Sequence, residues 1–242
     1  MTKYLDDLLG KMYIDNGRKV NILIDNGIID IDCLIDEIIN SGDTYYLRSI
    51  ATYIKLDVKK IYQLATELIN RRSIIHSYYF AKEIEGAPVE LFEDFIISEN
   101  DPKYIYLFAK DVKGADIKKL EEAIIETNNA EYIYLFARDI TGSDKNLLFD
   151  TLVRLGDARF VLEFFENVAM MPLERVERAL IDIGDDDVYQ KFLMYKIKMQ
   201  DRDYEYLNKA LKNDDIDNIN KYHDDYAYLF KDISPKKLVK EK

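Results

Sequence analysis

Apolar side chains recur along the chain with the spacing of short amphipathic helices. Around Tyr104 they fall at positions i, i+3, i+4 and i+8, and these positions hold Tyr104, Leu107, Phe108 and Val112. The next segment places four apolar residues on one helical face: Ile117, Leu120, Ile124 and Ile125. This spacing is typical of helices that bury one face. The pattern therefore predicts two short helices in succession.

This pair of helices recurs every 28 residues. YIYLFAKDVKGAD begins at Tyr104, and YIYLFARDITGSD begins at Tyr132. One position holds phenylalanine in five successive copies: Phe80, Phe108, Phe136, Phe164 and Phe192. A single helical hairpin cannot bury both of its faces, so neighbouring copies must stack on one another. We expect the five phenylalanines to form a continuous core.

Helix boundaries share the same register. A turn glycine follows the first helix at Gly86, Gly114 and Gly142. Residues that tolerate positive φ follow the second helix at Asn100, Asn128, Gly156 and Gly184. Good N-caps come next, at Asp101, Asn129, Asp157 and Asp185. Second helices start after Pro88, Asp116, Asp144 and Pro172. Each helix then has room for about 10 to 12 residues.

Weaker copies lie on both sides of the central ones. The segment from Ile31 matches the segment from Ile117 if two residues are inserted between Ala51 and Phe80. Val188–Leu211 fits a further hairpin, and YAYLF at Tyr226 resembles the start of a truncated last copy. Degenerate ends are typical of capping repeats.

These observations predict an all-α fold, a right-handed α-solenoid of about seven stacked helix–turn–helix repeats. No linker or change of composition interrupts the chain, so we expect one elongated domain over 1–242. Within it, 1–30 would form N-terminal capping helices, 31–211 the two-helix repeats, and 212–242 a degenerate C-terminal cap.

The motif LFA[KR]D[VI]xG[AS]D, at Leu107–Asp116 and Leu135–Asp144, resembles short HEAT-like helical repeats of bacterial and phage-type proteins. The resemblance extends over about Ile31 to Leu211 and implies a binding scaffold. One HEAT-like branch, the alkylpurine DNA glycosylases, is enzymatic and lines a basic concave face with aromatic residues, including Trp. This chain has no Trp and is acidic, so the resemblance carries over no catalytic residue.

The charge balance narrows the class of partner. With 46 acidic and 34 basic residues, the net charge of −12 does not favour direct binding of nucleic acid. It favours protein partners, or mimicry of nucleic-acid charge against a basic nucleic-acid-binding protein. The single cysteine, Cys33, excludes an internal disulfide, and no apolar run is long enough to span a membrane. We expect a cytoplasmic protein.

Candidate catalytic chemistry is sparse. No nucleophile–base motif, phosphate-binding loop or metal motif occurs in the sequence. The acidic clusters lack the ligand spacing of a calcium loop and are interpreted as solvated turns; they are Asp185–Asp187, Asp214–Asp217 and Asp224–Asp225. Of the two histidines, His76 and His223, the first occupies a core-edge position and is expected to be packed and neutral. We expect no catalytic residue, cofactor or metal, and therefore no enzyme.

The candidate binding residues form a ladder on the first helices. It consists of Tyr78, Lys82, Tyr106, Lys110, Tyr134 and Arg138, each cation four residues after its tyrosine. The ladder could bind a phosphate-bearing strand or an acidic peptide. Alternatively, the tyrosines pack between hairpins and the cations solvate the rim. Glu83, Asp111 and Asp139 follow the cations and are expected to pair with bases of adjacent hairpins or to cap turns.

Three functions follow from this reading. The leading one is a non-enzymatic scaffold that binds a protein or peptide along one face of the superhelix. The alternative is an acidic inhibitor, for example one carried by a phage, that mimics nucleic acid and blocks a nucleic-acid-binding protein. The least favoured is a HEAT-like enzyme that modifies DNA.

Overall fold

A computed structural model describes residues 7, 8, 10, 17–168 and 171–198 of the chain. Within these residues every regular element is a helix, and no strand occurs. The predicted all-α fold class is confirmed. The predicted C-terminal cap, 212–242, lies outside the described residues.

The helices are α1 (Arg18–Asp25), α2 (Ile31–Ser41), α3 (Thr44–Tyr53), α4 (Val58–Asn70), α5 (Ile74–Glu83), α6 (Val89–Ser98), α7 (Pro102–Asp111), α8 (Ile117–Glu126), α9 (Ala130–Asp139), α10 (Lys145–Leu155), α11 (Ala158–Asn167) and α12 (Leu173–Ile183). Residues 186–198 are also helical. We call α3, α5, α7, α9 and α11 the A helices, and α2, α4, α6, α8 and α10 the B helices.

Two compact units make up the chain, Met1–Met170 and Met171–Lys242. In the first unit, α3, α5, α7 and α9 each pack against the B helices before and after them, and neighbouring A helices from α3 to α11 pack against one another. This alternation of A and B helices is the predicted helical-repeat arrangement. In the second unit, Val176 and Leu180 of α12 and Phe192 are fully buried. There the carboxylate of Glu177 accepts a hydrogen bond from Lys196 Nζ at 2.8 Å.

The repeated phenylalanines are buried, as the spacing predicts, four of them in the first unit and Phe192 in the second. Each of the five is 0% exposed: Phe80, Phe108, Phe136, Phe164 and Phe192. The extra residues predicted between Ala51 and Phe80 fall within α4, which has 13 residues where α6 and α8 have 10. The 28-residue register therefore describes a repeating pair of helices, and the inserted residues lengthen a B helix.

The predicted caps are present at both ends of the helices. The side chain of Asp116 accepts hydrogen bonds from the backbone N–H groups of Lys118 and Lys119, at 3.0 and 3.2 Å. Positive φ values occur at the predicted positions, Asn100, Asn128, Gly156 and Gly184. Arg72 holds the same position with a φ of 51°. Arginine is a poor residue for the left-handed region, so the sequence did not indicate this cap.

Buried carboxylates connect successive B helices. Glu93 and Glu121 stand at one position of neighbouring repeats and are only 3% and 7% exposed. Glu93 accepts a hydrogen bond from the backbone N–H of Asp116 at 2.7 Å, and Glu121 accepts one from Asp144 at 2.6 Å. Each donor belongs to the N-cap residue of the next B helix. A side chain of one repeat thus completes the helix start of the following repeat.

Candidate binding surface on the A helices

Tyr106 and Lys110 show how an A helix presents the ladder residues. Asp101 caps α7 and Pro102 is its first residue, which fixes where the helix begins. Tyr106 and Lys110 are then one turn apart on the same face. Tyr106 is 7% exposed, whereas the side chain of Lys110 is 43% exposed. The phenol ring therefore lies inside the array and the ammonium group at its surface.

The Tyr106 side chain is part of a three-residue clamp between adjacent A helices. Its hydroxyl donates a hydrogen bond to Oδ2 of Asp139 on α9. Lys110 Nζ donates to the same oxygen at 2.8 Å and to the Tyr106 hydroxyl oxygen at 2.7 Å. Because two donors on α7 converge on one acceptor on α9, the clamp fixes the register of the two helices.

An equivalent clamp joins α5 to α7. The Tyr78 hydroxyl donates to Asp111 Oδ2, and Lys82 Nζ donates to that oxygen at 2.8 Å. Lys82 Nζ also lies 3.1 Å from the Tyr78 hydroxyl oxygen. Both acidic residues thus pair with a base of the preceding hairpin, as the pairing interpretation predicts.

Upstream, the connection between α3 and α5 uses different residues. Arg48 donates to Oε2 of Glu83 from Nε at 3.2 Å and from Nη2 at 2.7 Å. The guanidinium carbon also lies 4.6 Å from the ring centroid of Tyr79. One arginine therefore does what a tyrosine and a lysine do in the next two clamps.

Downstream, the third tyrosine–cation pair, Tyr134 and Arg138, has no clamp acid, that is, no carboxylate on the next A helix that accepts from both residues. Arg138 of α9 turns back to its own neighbour, Asp139, which accepts from Nε at 2.7 Å and from Nη2 at 3.2 Å. The Tyr134 ring stacks on Phe160 of α11 at a centroid distance of 5.5 Å and an angle of 29°. In the earlier pairs the neighbouring rings meet at steeper angles, 63° for Tyr78 with Tyr104 and 53° for Tyr106 with Tyr132.

Electrostatics give each clamp a single protonation state near neutral pH. Burial raises the pKa of Tyr106, and the hydrogen bond to Asp139 adds to the rise. Hydrogen bonds to Asp139 and Tyr106 raise the pKa of Lys110. The hydrogen bond from Arg138 is the largest cause of the lowered pKa of Asp139. Phenol, ammonium and carboxylate are the stable forms, so the clamps are not arranged for acid–base chemistry.

The structure separates the six ladder residues into two groups. Tyr78, Tyr106 and Tyr134 are at most 7% exposed and pack between A helices. The side chains of Lys82, Lys110 and Arg138 are 37%, 43% and 41% exposed. A partner could therefore reach the cations directly but not the tyrosine faces. Binding of a partner by this surface is a prediction.

Partly buried apolar side chains lie beside the three cations. Three residues before each cation, on the same face, are Tyr79, Leu107 and Leu135, all of intermediate exposure. Adjacent A helices therefore present the same pair of features, an apolar side chain and a partly exposed cation. We call these six residues, Tyr79, Lys82, Leu107, Lys110, Leu135 and Arg138, the A-face strip.

His76 is half-buried at the start of α5. Its Nδ1 lies 3.0 Å from the hydroxyl oxygen of Thr44 and 2.9 Å from that of Ser73. Burial lowers the pKa of His76, and the charge of Arg48 lowers it further. This environment favours the neutral imidazole in a packed position. His223 and the acidic clusters Asp214–Asp217 and Asp224–Asp225 lie outside the described residues.

Four structural residues were not singled out by the sequence: Arg48, Glu93, Glu121 and Lys145. Lys145 Nζ donates to the carbonyl oxygen of Ala137, to Ser143 Oγ at 2.7 Å and to the carbonyl oxygen of Ile140 at 3.1 Å. It thereby caps the end of α9 with a positive charge. Other repeats have Ile117 or Leu173 at this position, so the repeat pattern gave no signal for it.

Among the described residues, no group of three or more His, Cys, Asp or Glu side chains is placed to hold a metal ion. None of the described helices combines the length and the apolarity needed to cross a membrane. Comparisons of the chain with protein-family models, with curated proteins and with solved structures find no match.

Proposed function

We propose that the chain is a non-enzymatic scaffold that binds a protein or peptide segment along the A-face strip. One observation carries the proposal: three adjacent A helices present an apolar side chain followed by a partly exposed cation, in the same register. This proposal extends the HEAT-like resemblance of the sequence, since helical repeats of that kind generally act as binding scaffolds.

The spacing of the strip matches an extended peptide. Packed helices lie about 8–10 Å apart. A polyproline-II segment has three residues per turn and rises about 3.1 Å per residue, so equivalent side chains recur about every 9 Å. An extended segment that crosses the A helices would therefore bring one equivalent side chain to each helix. Leu107 and Leu135 would receive apolar side chains, and Lys110 and Arg138 would pair with acidic or carbonyl oxygens.

A random peptide library selected against the purified chain tests the proposal. Affinities of the selected peptides would be measured by fluorescence anisotropy for the wild type and for Leu107→Ser combined with Leu135→Ser. We expect the double substitution to weaken binding at least tenfold. The matched control is Leu147→Ser on α10, a leucine that is 45% exposed on a B helix. Selected peptides that bind the A-face variant as tightly as the wild type would contradict the proposal.

The second candidate function is an acidic inhibitor that competes with nucleic acid for a basic protein. A column of exposed acidic residues on the B helices favours it. The sixth residue after the N-cap is acidic in four B helices, at Asp36, Asp94, Glu122 and Asp150. Binding by this column would weaken steeply with added salt and would compete with DNA or RNA. Glu122→Lys, with Glu131→Lys on an A helix as control, separates this surface from the A-face strip.

A further inference from the structure

The acid that closes each clamp stands at a fixed distance along the sequence. Asp111 and Asp139 lie 33 residues after the tyrosine that they accept from and 29 residues after the lysine. The same two offsets from Tyr134 and Arg138 lead to Asn167, the last residue of α11. The third clamp position is therefore occupied by an amide where the first two have a carboxylate.

Asn167 does not take over the role of the acid. Its Nδ2 donates to the carbonyl oxygen of Glu163 at 3.0 Å, within its own helix. Tyr134 is 5% exposed, and no carboxylate of the described residues accepts a hydrogen bond from its hydroxyl; the hydroxyl interacts with Arg138 of its own helix, and this contact contributes to the raised pKa of Arg138. The two preceding tyrosines each donate to an aspartate of the next A helix, so Tyr134 departs from them in having no acceptor acid there.

Arg138 retains donors for a further acceptor. Two of its nitrogens, Nε and Nη2, bond to Asp139. A guanidinium group has five N–H donors, so others remain free of that pair. The side chain is 41% exposed. Three cations, Lys82, Lys110 and Arg138, share two clamp acids, so Arg138 has no acid of its own on the next A helix.

We propose that the acid missing from the third clamp is supplied by the bound partner, as an aspartate or glutamate side chain of a peptide that lies on the A-face strip. Its carboxylate accepts from Arg138 and from the Tyr134 hydroxyl, as Asp139 accepts from Lys110 and Tyr106. Arginine suits this role because its fork of N–H groups binds a carboxylate in two places. The inference rests on the proposed function and specifies the chemistry of the partner.

The first test fills the position from within the chain. Asn167→Asp would place a carboxylate at the clamp offset and raise the midpoint of thermal unfolding by about 2–4 °C, the shift that corresponds to about 1 kcal/mol in a chain of this size. Asn70→Asp is the matched control, because Asn70 is also the exposed last residue of a helix. The gain should vanish when Arg138→Gln is added. If Asn167→Asp is no more stabilising than Asn70→Asp, the position does not accept an acid and the inference fails.

The second test uses a defined probe, the peptide acetyl-Leu-Asp-Leu-amide, with acetyl-Leu-Asn-Leu-amide as its neutral counterpart. The Nε–Hε signal of Arg138 would be followed by NMR during each titration. We expect the Asp peptide to shift this signal in the wild type and to bind at least tenfold more weakly to Asn167→Asp. Equal shifts by the two peptides, or no effect of Asn167→Asp, would overturn the inference.

The two proposals fail in different ways. If library peptides depend on Leu107 and Leu135 but bind the wild type and Asn167→Asp equally, the A-face strip is a binding surface without an acid site. The further inference is then wrong and the proposed function stands. If substitutions in the strip leave every peptide affinity unchanged, the proposed function is wrong as well.

Discussion

Glu121 accepts a hydrogen bond from the backbone N–H of Asp144, the N-cap residue of the next B helix, at 2.6 Å. In an ordinary capping box the acceptor is the third residue of the same helix. That residue in α10 is Leu147, which cannot accept. The preceding repeat supplies the carboxylate instead, so the start of α10 depends on the repeat before it.

Glu121→Ala should destabilise the chain by about 1–3 kcal/mol, because it leaves a part-buried N–H without its acceptor. Glu121→Gln keeps an acceptor oxygen and removes a buried charge, so it should cost less. Urea unfolding followed by circular dichroism measures both. Glu122→Ala, the exposed neighbour, is the control and should change stability little. Equal losses for Ala at the two positions would show that the hydrogen bond contributes nothing.

The same carboxylate should make stability depend on pH. Burial is the largest influence on Glu121 and raises its pKa, although the hydrogen bond from Asp144 acts in the opposite direction. A raised pKa in the folded state gives stability that is present below the unfolded pKa and lost as pH rises through the folded pKa. The stability of Glu121→Gln relative to the wild type should therefore rise as the pH increases above the pKa of unfolded glutamate, about 4.3. A difference that stays constant as the pH increases would contradict the assignment.

Tyr106→Phe should cost about 1–2 kcal/mol, because it removes a hydroxyl that donates to the charged Asp139 and accepts from Lys110. Tyr104→Phe makes the same chemical change two residues away. The Tyr104 hydroxyl is not part of a clamp, so this substitution should change stability little. Combining Tyr106→Phe with Asp139→Asn completes a double-mutant cycle in thermal unfolding. A coupling energy near zero would mean that the two groups do not act together.

Arg72→Gly should stabilise the chain by roughly 1 kcal/mol. Arg72 has a φ of 51°, a conformation that costs about 1–2 kcal/mol for most residues with a Cβ atom. The Arg72 side chain forms an ion pair with Glu99 but is 73% exposed, and exposed ion pairs contribute little to stability. Denaturant midpoints of Arg72→Gly and Arg72→Ala test this, since alanine keeps the strain and loses the pair. A loss of stability on Arg72→Gly would show that the ion pair outweighs the strain.

The elements that the sequence predicted correctly are those set by local chemistry and by period. The burial of the five repeated phenylalanines and the positive φ of Asn100 and Asn128 follow from residues that recur every 28 positions. The fold class needed no more than this spacing, because stacking is the only way for such hairpins to bury their apolar faces.

Two of the residues that were missed, Arg48 and Glu121, act across repeat boundaries. Glu121 lies on a helical face whose apolar members predict burial, but no pattern shows that a backbone N–H of the next repeat faces it. Arg48 replaces a tyrosine upstream of the two inserted residues, so the register did not align it with Tyr78. The ladder tyrosines were aligned correctly, yet their burial depends on how neighbouring A helices approach, which side-chain spacing alone does not determine.

Every clamp takes its phenol and amine from one repeat and its carboxylate from the following one, which gives the array a direction. A duplicated unit cut between Asn100 and Asp101 and between Asn128 and Asn129 would present Tyr106 and Lys110 to the repeat after it and Asp111 to the repeat before it. Such a unit could be added in tandem, and the clamps to the repeats before and after it would both be complete. The clamp contacts between repeats thus all run in the same direction along the chain. A repeat could therefore be added or removed without changing the residues at the remaining interfaces.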